Sequence, residues 1–346
     1  MAELFGTLPY GREVYRVFLR YGEMSCEIIT YGAALRTLTV PGREDKSIDV
    51  VLGYDRAEDY ASGDNPYFGA VVGRFANRIG GSAFDLGGVH YALPANEGEN
   101  HLHGGPDSFG QRLWTVESES ENAVRLSLTS PDGDAGYPGT LRAEVTYTLT
   151  SDALRLDYQA VSDKDTLCNL TNHAYFNLAG HDSGSIEGQT IRLFADAFTP
   201  TDAELIPTGK IADVAGTPMD LREPVPIGAH IDDGFEQLRF AGGYDHNFVL
   251  RGESGTLRPA AEVYCAGSGV CLTVETTLPG IQFYAGNGLG KSPAGKGGAR
   301  YSRRQAFCLE TQVFPDAPHH DTFPTAVLRA GDTYRCTTVF RFHHTF

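Results

Sequence analysis

Glu144-Val-Thr-Tyr-Thr-Leu149 and Leu154-Arg-Leu-Asp-Tyr-Gln-Ala160 decide the fold. In the first, Val145, Tyr147 and Leu149 interleave with Glu144, Thr146 and Thr148. In the second, Leu154, Leu156, Tyr158 and Ala160 alternate with Arg155, Asp157 and Gln159. Successive side chains of a strand point to opposite faces, so a period of two predicts strands with one face buried and one wet. Val124, Leu126 and Leu128 against Arg125 and Ser127, then Leu272 with Val274, and finally Thr338, Phe340 and Phe342 repeat the pattern. Turn formers separate these runs at Pro131-Asp-Gly-Asp, Tyr137-Pro-Gly, Pro279-Gly and Ala330-Gly-Asp. No stretch holds an i, i+3, i+4, i+7 apolar stripe for more than about two turns, so helices should be few and short. The expectation is an all-β chain, a sandwich or barrel rather than a parallel α/β sheet, with residues 1–346 forming one large β domain.

Composition narrows the function. The 346 residues are 41% hydrophobic and 21% charged, a globular balance. Forty-four acidic against 28 basic residues give a formal charge of −16, which repels phosphate backbones and anionic lipid. Neither nucleic acid nor a membrane is an expected partner. The six cysteines (Cys26, Cys168, Cys265, Cys271, Cys308, Cys336) form no C-x-x-C pair, which suits free thiols in a reducing cytoplasm. Met1-Ala-Glu-Leu-Phe-Gly6 lacks a basic segment followed by an apolar one, and no apolar run approaches a membrane span. The Gly-rich stretch from Gly286 to Gly298 lacks the spacing of a phosphate-binding loop and reads as a flexible surface loop.

Four polar clusters interrupt the strand pattern. Gly73-Arg-Phe-Ala-Asn-Arg-Ile79 places Arg74, Asn77 and Arg78 among small and apolar residues, where they need partners. A structural ion pair for one arginine and a polar ligand for Asn77 and Arg78 both remain open. Asn96-Glu-Gly-Glu-Asn-His-Leu-His-Gly-Gly105 offers His101 and His103 at strand spacing, yet no H-E-x-x-H or comparable element completes a metal site. Its two glycines suggest a tight turn that lets a ligand approach the backbone. Leu170-Thr-Asn-His-Ala-Tyr-Phe-Asn-Leu178 sets Asn172, His173 and Asn177 among aromatics, a setting that suits a sugar or a core histidine. Finally come Gly243-Tyr-Asp-His-Asn-Phe248 and Phe307-Cys-Leu-Glu-Thr-Gln312, where Glu310 sits inside an apolar run. Such a carboxylate is either paired, with Arg78 the first candidate, or functional. With no G-x-S-x-G elbow, the inventory of His, Glu, Asp, Asn and Arg suits proton transfer on a polyhydroxylated ligand.

Taken together, GRFANRI, the stretch ending in LHGG, TNHAYFNLAG, GYDHNF, PGIQFYAGN and CLETQ followed by FPDA resemble the aldose 1-epimerase family, in its order. DVVLGY, PYFGAVVGR, SPDGDAGYPG and LIPTG match as well. Phe75, Ala174 and Tyr244 depart from residues common in the family, but they flank functional positions. His101 falls at a varied position, so the His101-x-His103 pair is incidental. The resemblance implies a large antiparallel β-sandwich, often called a supersandwich, with a sugar bound in a cleft on one sheet. It implies Glu310 as general base and His173 as general acid, with His103 the runner-up acid. Asn77, Arg78, His103, Tyr175, Asp245 and Gln282 would hold the hydroxyls and the ring. The partner would be a small-molecule sugar, the state a monomer or homodimer, and no cofactor or metal would be needed. A hexose-6-phosphate 1-epimerase and a non-catalytic carbohydrate-binding protein are the rival readings. The carboxylate of Glu310 would be kept ionised, with Arg78 the candidate counter-ion.

Overall fold

The computed structural model describes residues 2–344. Met1, where the N-terminal stretch begins, and Thr345 and Phe346, at the far end of the expected 1–346 domain, lie outside the described residues.

The alternating segments become the middle of a nine-stranded sheet. Its order is Thr115–Glu119, Ala123–Ser130, Leu141–Leu149, Ala153–Ser162, Thr333–His344, Val270–Thr276, Arg258–Tyr264, Thr190–Leu193 and Val225–Pro226. Leu141–Leu149 pairs antiparallel with Ala153–Ser162, Tyr147 opposite Leu156. Val145, Tyr147, Leu149, Leu154, Leu156, Tyr158 and Ala160 are all buried on one face, while Arg155, Gln159 and Val161 are exposed on the other. Ser127, expected outward, is instead buried, its hydroxyl bonded to Glu117.

A five-stranded sheet of Glu3–Thr7, Glu13–Tyr21, Met24–Ile29, Ala34–Pro41 and Ser47–Asp49 covers part of that buried face. A second five-stranded sheet orders Ala212–Asp213, Ala195–Phe198, Asp245–Leu250, Gly280–Tyr284 and Cys308–Gln312. One hydrophobic cluster runs from Val17 to Phe342 and joins the layers. Two short helices, Ala57–Tyr60 and Glu236–Ala241, are the α-helices among the described residues. The antiparallel β-sandwich is therefore as expected.

The second five-stranded sheet positions the chemistry. In Cys308–Gln312, Leu309 is in the apolar core and the Thr311 hydroxyl meets that of Thr338 on the nine-stranded sheet, 2.6 Å away. Period two then turns Cys308, Glu310 and Gln312 to the opposite face. Glu310 stands directly across from Gln282, and Gln282 from Asn247. A polar row thus crosses three strands.

The Gly-rich stretch corrects its surface-loop reading. Lys296 is buried, and its ammonium binds Asp49 and the carbonyls of Arg36 and Val51. A buried ammonium with three acceptors pins this loop to the first sheet. All six cysteines are free.

Candidate active site

Asn77 and Arg78 lie where two short strands, Arg78–Ile79 and His101–Leu102, pair antiparallel. That pairing delivers His103 to the backbone of Asn77. The His103 N–H donates to the Asn77 carbonyl at 3.0 Å, and the Asn77 N–H donates to His103 Nδ1 at 3.1 Å. His103 therefore accepts at Nδ1 and, when neutral, carries its hydrogen at Nε2. The glycines that follow serve this packing: a Cβ on Gly104, at φ +86°, would lie 2.0 Å from the Gly73 carbonyl oxygen. The close approach foreseen for a ligand is made by the chain itself.

His173 follows the short strand Thr171–Asn172, which pairs with Val71–Val72. Its ring lies nearly parallel to those of Tyr175, 5.1 Å away, and Tyr67, 5.9 Å away. His103 meets it edge-on at 5.1 Å. The Cys308 thiol touches Nδ1 at 3.5 Å. On its other side, Nε2 lies 3.5 Å from Glu310 Oε1, with side chains only 6% and 3% exposed. Glu310 Oε2 has no partner among the described residues, an orphaned acceptor in a buried place.

These groups line one cavity of about 210 Å³, walled by Tyr67, Asn77, Arg78, Glu97, His103, His173, Tyr175, Asp245, Tyr284 and Glu310, with Pro66 and Leu102. Pockets for drug-sized molecules run to roughly 300–1,000 Å³, so this one suits a single small polar ligand. Tyr67, Asn77 and His103 all hold positive φ (64°, 67° and 54°), which costs free energy in non-glycine residues and is commonest at functional sites.

Two expectations need correcting. Gln282 is not on the cavity wall. It stands behind Asp245 and donates to its Oδ1 at 2.7 Å, so it orients the carboxylate. Arg78 does not pair with Glu310 either. Its Nε and one terminal nitrogen grip Glu97 at 2.6 and 2.8 Å, and Asp245 lies 4.0 Å away. Burial, then Asp245, pushes Glu310 well above the ordinary carboxylate range, and Arg78 opposes this only in part. Glu310 is thus not a carboxylate held ionised by a contacting guanidinium. Arg74 takes a structural place with no ion pair among the described residues, donating to the carbonyls of Ser130, Pro138 and Gly139. His101 is tied to the Pro94 carbonyl and the Tyr137 hydroxyl, away from His103's partners.

Burial lowers His173 to about 4 and, helped by His173 and Arg78, holds His103 well below the usual histidine value. Asp245 is raised by burial, against Arg78 and Gln282. Glu310 is pushed up and His173 pushed down by burial, each toward its uncharged form. At 3.5 Å the two groups are close enough to act together on one ligand. His103, His173 and Glu310 each offer a ligand atom within 4.8 Å of one another. A metal there would have to displace the hydrogen on His103 Nε2 and disturb its bond to Asn77, so the donor set fits a metal poorly.

Tyr67, Glu97, Tyr284 and Cys308 were not singled out from the sequence. Each nonetheless lies inside a quoted string: Tyr67 in PYFGAVVGR, Glu97 in the stretch ending in LHGG, Tyr284 in PGIQFYAGN and Cys308 in CLETQ.

A small polar cavity in an antiparallel β-sandwich, with a buried carboxyl and an imidazole in contact on its wall, defines a site built for proton transfer. Residues 15–341 match the family described as aldose 1-epimerase. The chain is 46% identical to the galactose mutarotase of Bos taurus, across 98% of this chain and 97% of that one. It is 35% identical to the aldose 1-epimerase of Escherichia coli (strain K12) over 92% of each. The crystal structure of galactose 1-epimerase from Lactobacillus acidophilus NCFM superposes with a TM-score of 0.86 at 27% identity, covering 100% of this chain and 99% of that one. The chain belongs to the aldose 1-epimerase family.

Proposed function

We propose that residues 1–346 act as one domain, a cytoplasmic aldose 1-epimerase, monomeric or homodimeric, that interconverts the α and β anomers of free aldohexoses such as galactose and glucose. The observation that carries this reading is the buried contact of His173 Nε2 with Glu310 Oε1 at 3.5 Å on the wall of one small polar cavity. Opening a pyranose requires a proton to leave the C1 hydroxyl and another to reach the ring oxygen. Both oxygens are bonded to the same carbon, so two neighbouring groups serve them together.

With His173 protonated and Glu310 ionised, the carboxylate takes the C1 hydroxyl proton and the imidazolium delivers one to the ring oxygen. The bond from C1 to the ring oxygen breaks and a carbonyl forms at C1. The pair then holds its proton on Glu310 instead of His173, with no net change. Rotation about C1–C2 and reclosure return both protons by the reverse route. Each group contributes roughly 10²–10⁴-fold. His103 would donate from Nε2 to a ligand oxygen, and Asn77, Arg78 and Asp245 would hold hydroxyls. Tyr175, facing His173, would back the ring.

Polarimetry of freshly dissolved α-galactose and α-glucose tests the reading. Faster approach to equilibrium rotation, unaffected by a chelator, is expected; a trace matching the spontaneous rate for every aldohexose refutes it. His173→Asn should lose more activity than His103→Asn, and the reverse order would exchange their roles.

A further inference from the structure

Three carboxyl groups, Glu97, Asp245 and Glu310, line the cavity with one guanidinium, that of Arg78. Arg78 is the lysine or arginine of that wall among the described residues, and burial leaves both imidazoles favouring their neutral forms. Its charge is already spent: Glu97 takes Nε and a terminal nitrogen in a two-point grip, and Asn77 Oδ1 lies 3.4 Å from the other terminal nitrogen. Glu97 differs from the other two acids in exposure. Its side chain is 37% exposed, against 17% for Asp245 and 3% for Glu310. With the reacting end of a sugar placed at the buried pair, Glu97 is the acid of that wall nearest solvent.

The turn that presents Glu97 is built rather than loose. The Asn100 N–H donates to the Glu97 carbonyl at 2.9 Å, and Gly98 takes the left-handed conformation at φ 59°. The Asn96 side chain clamps both backbone groups of Leu102, immediately before His103.

Resting on the epimerase reading, we infer that Glu97 is a specificity-determining residue: by neutralising Arg78 at the mouth it makes the site reject sugars that carry a phosphate. A phosphate monoester brings about −1.5 to −2 charges at neutral pH. It would meet an excess of carboxyl groups and a guanidinium with its best-placed hydrogens occupied. A neutral hexose meets the same wall as a set of hydrogen-bond acceptors and loses nothing.

Glu97→Gln keeps an acceptor oxygen for Arg78 and removes the charge. The measurement is the ratio of kcat/KM for glucose 6-phosphate to that for glucose, followed polarimetrically, with inorganic phosphate tested as a competitive inhibitor of glucose mutarotation. In Glu97→Gln the ratio is expected to rise at least tenfold over the parent, mostly through KM, and millimolar phosphate to inhibit the variant but not the parent. Adding Arg78→Gln to it should erase both gains. Glu97→Ser, which vacates the position, provides a second reading if the first variant folds poorly, as judged by circular dichroism. A ratio unchanged in folded variants, or a parent that handles both sugars equally, overturns the inference: Glu97 would then only hold Arg78 in place. Should the parent epimerise no free sugar, the functional reading itself fails. Calorimetric binding of glucose against glucose 6-phosphate to parent and variant still decides the charge claim.

Discussion

Replacing Glu310 by Gln gives the sharpest test of the Glu310–His173 pair. The amide is nearly isosteric and keeps an oxygen near His173, but it neither accepts nor carries the proton. Loss of a general base costs roughly 10²–10⁴-fold, or about 3–5 kcal/mol of transition-state stabilisation. Because Glu310 and His173 touch at 3.5 Å and trade one proton, their losses should not multiply. The double variant Glu310→Gln/His173→Asn should be about as slow as the worse single one. Stability should move the other way. Burial raises Glu310 above its ordinary value of 4.5, so above that pH the unfolded chain releases a proton that the folded one keeps. Folding stability then falls as pH rises toward the folded value. Gln abolishes that loss, so the variant should melt higher than the parent at pH 7. The gain should shrink as pH falls through 4.5 and vanish below it, where both states hold the proton. Polarimetry on freshly dissolved α-anomer, calorimetric sugar binding and scanning calorimetry at several pH values give the three readouts. Activity above one tenth of the parent's, or a double variant slower by the product of the two losses, refutes the reasoning.

In the parent, kcat/KM should stay level near neutrality and fall as pH drops through about 4, when His173 gains a second proton for the pair; a profile falling already from pH 6.5 contradicts the burial argument. Tyr67→Leu should lower kcat roughly tenfold with KM little changed, while Tyr67→Phe stays within about twofold, because the ring face against His173 is what positions it; equal losses in the two variants would point to the hydroxyl. Arg74→Met leaves the buried carbonyls of Ser130, Pro138 and Gly139 without their donor. That should cost roughly 3 kcal/mol or more in urea denaturation while KM of the folded fraction is unaltered.

The nine-stranded sheet was legible in the sequence because period two survives wherever one face is dry. Leu154, Leu156, Tyr158 and Ala160 needed no partner to reveal their side. Glu310 was legible because a lone acid in an apolar run is costly. Its counter-ion was not. Arg78 was expected at Glu310, but opposing Arg78 with Leu102 brings the 96–100 turn to it, and Glu97 arrives first. Pairing register is a long-range property that no local pattern encodes. Gln282 shows the same limit. It occupies the same row as Glu310, yet the carboxylate of Asp245 draws its amide away from the cavity wall. Lys296 was misread because composition alone makes a Gly-rich loop look mobile, and the acceptors that fix it come from residues more than two hundred positions earlier.

The strand Thr333–His344 sits between Ala153–Ser162 and Val270–Thr276, although it is the last strand in the described order. During synthesis the two halves of the large sheet therefore wait with bare inner edges until that segment leaves the ribosome. Unpaired edges of this kind template wrong partners. Yield in the cell should depend on how quickly that keystone emerges and on chaperones that shield the gap.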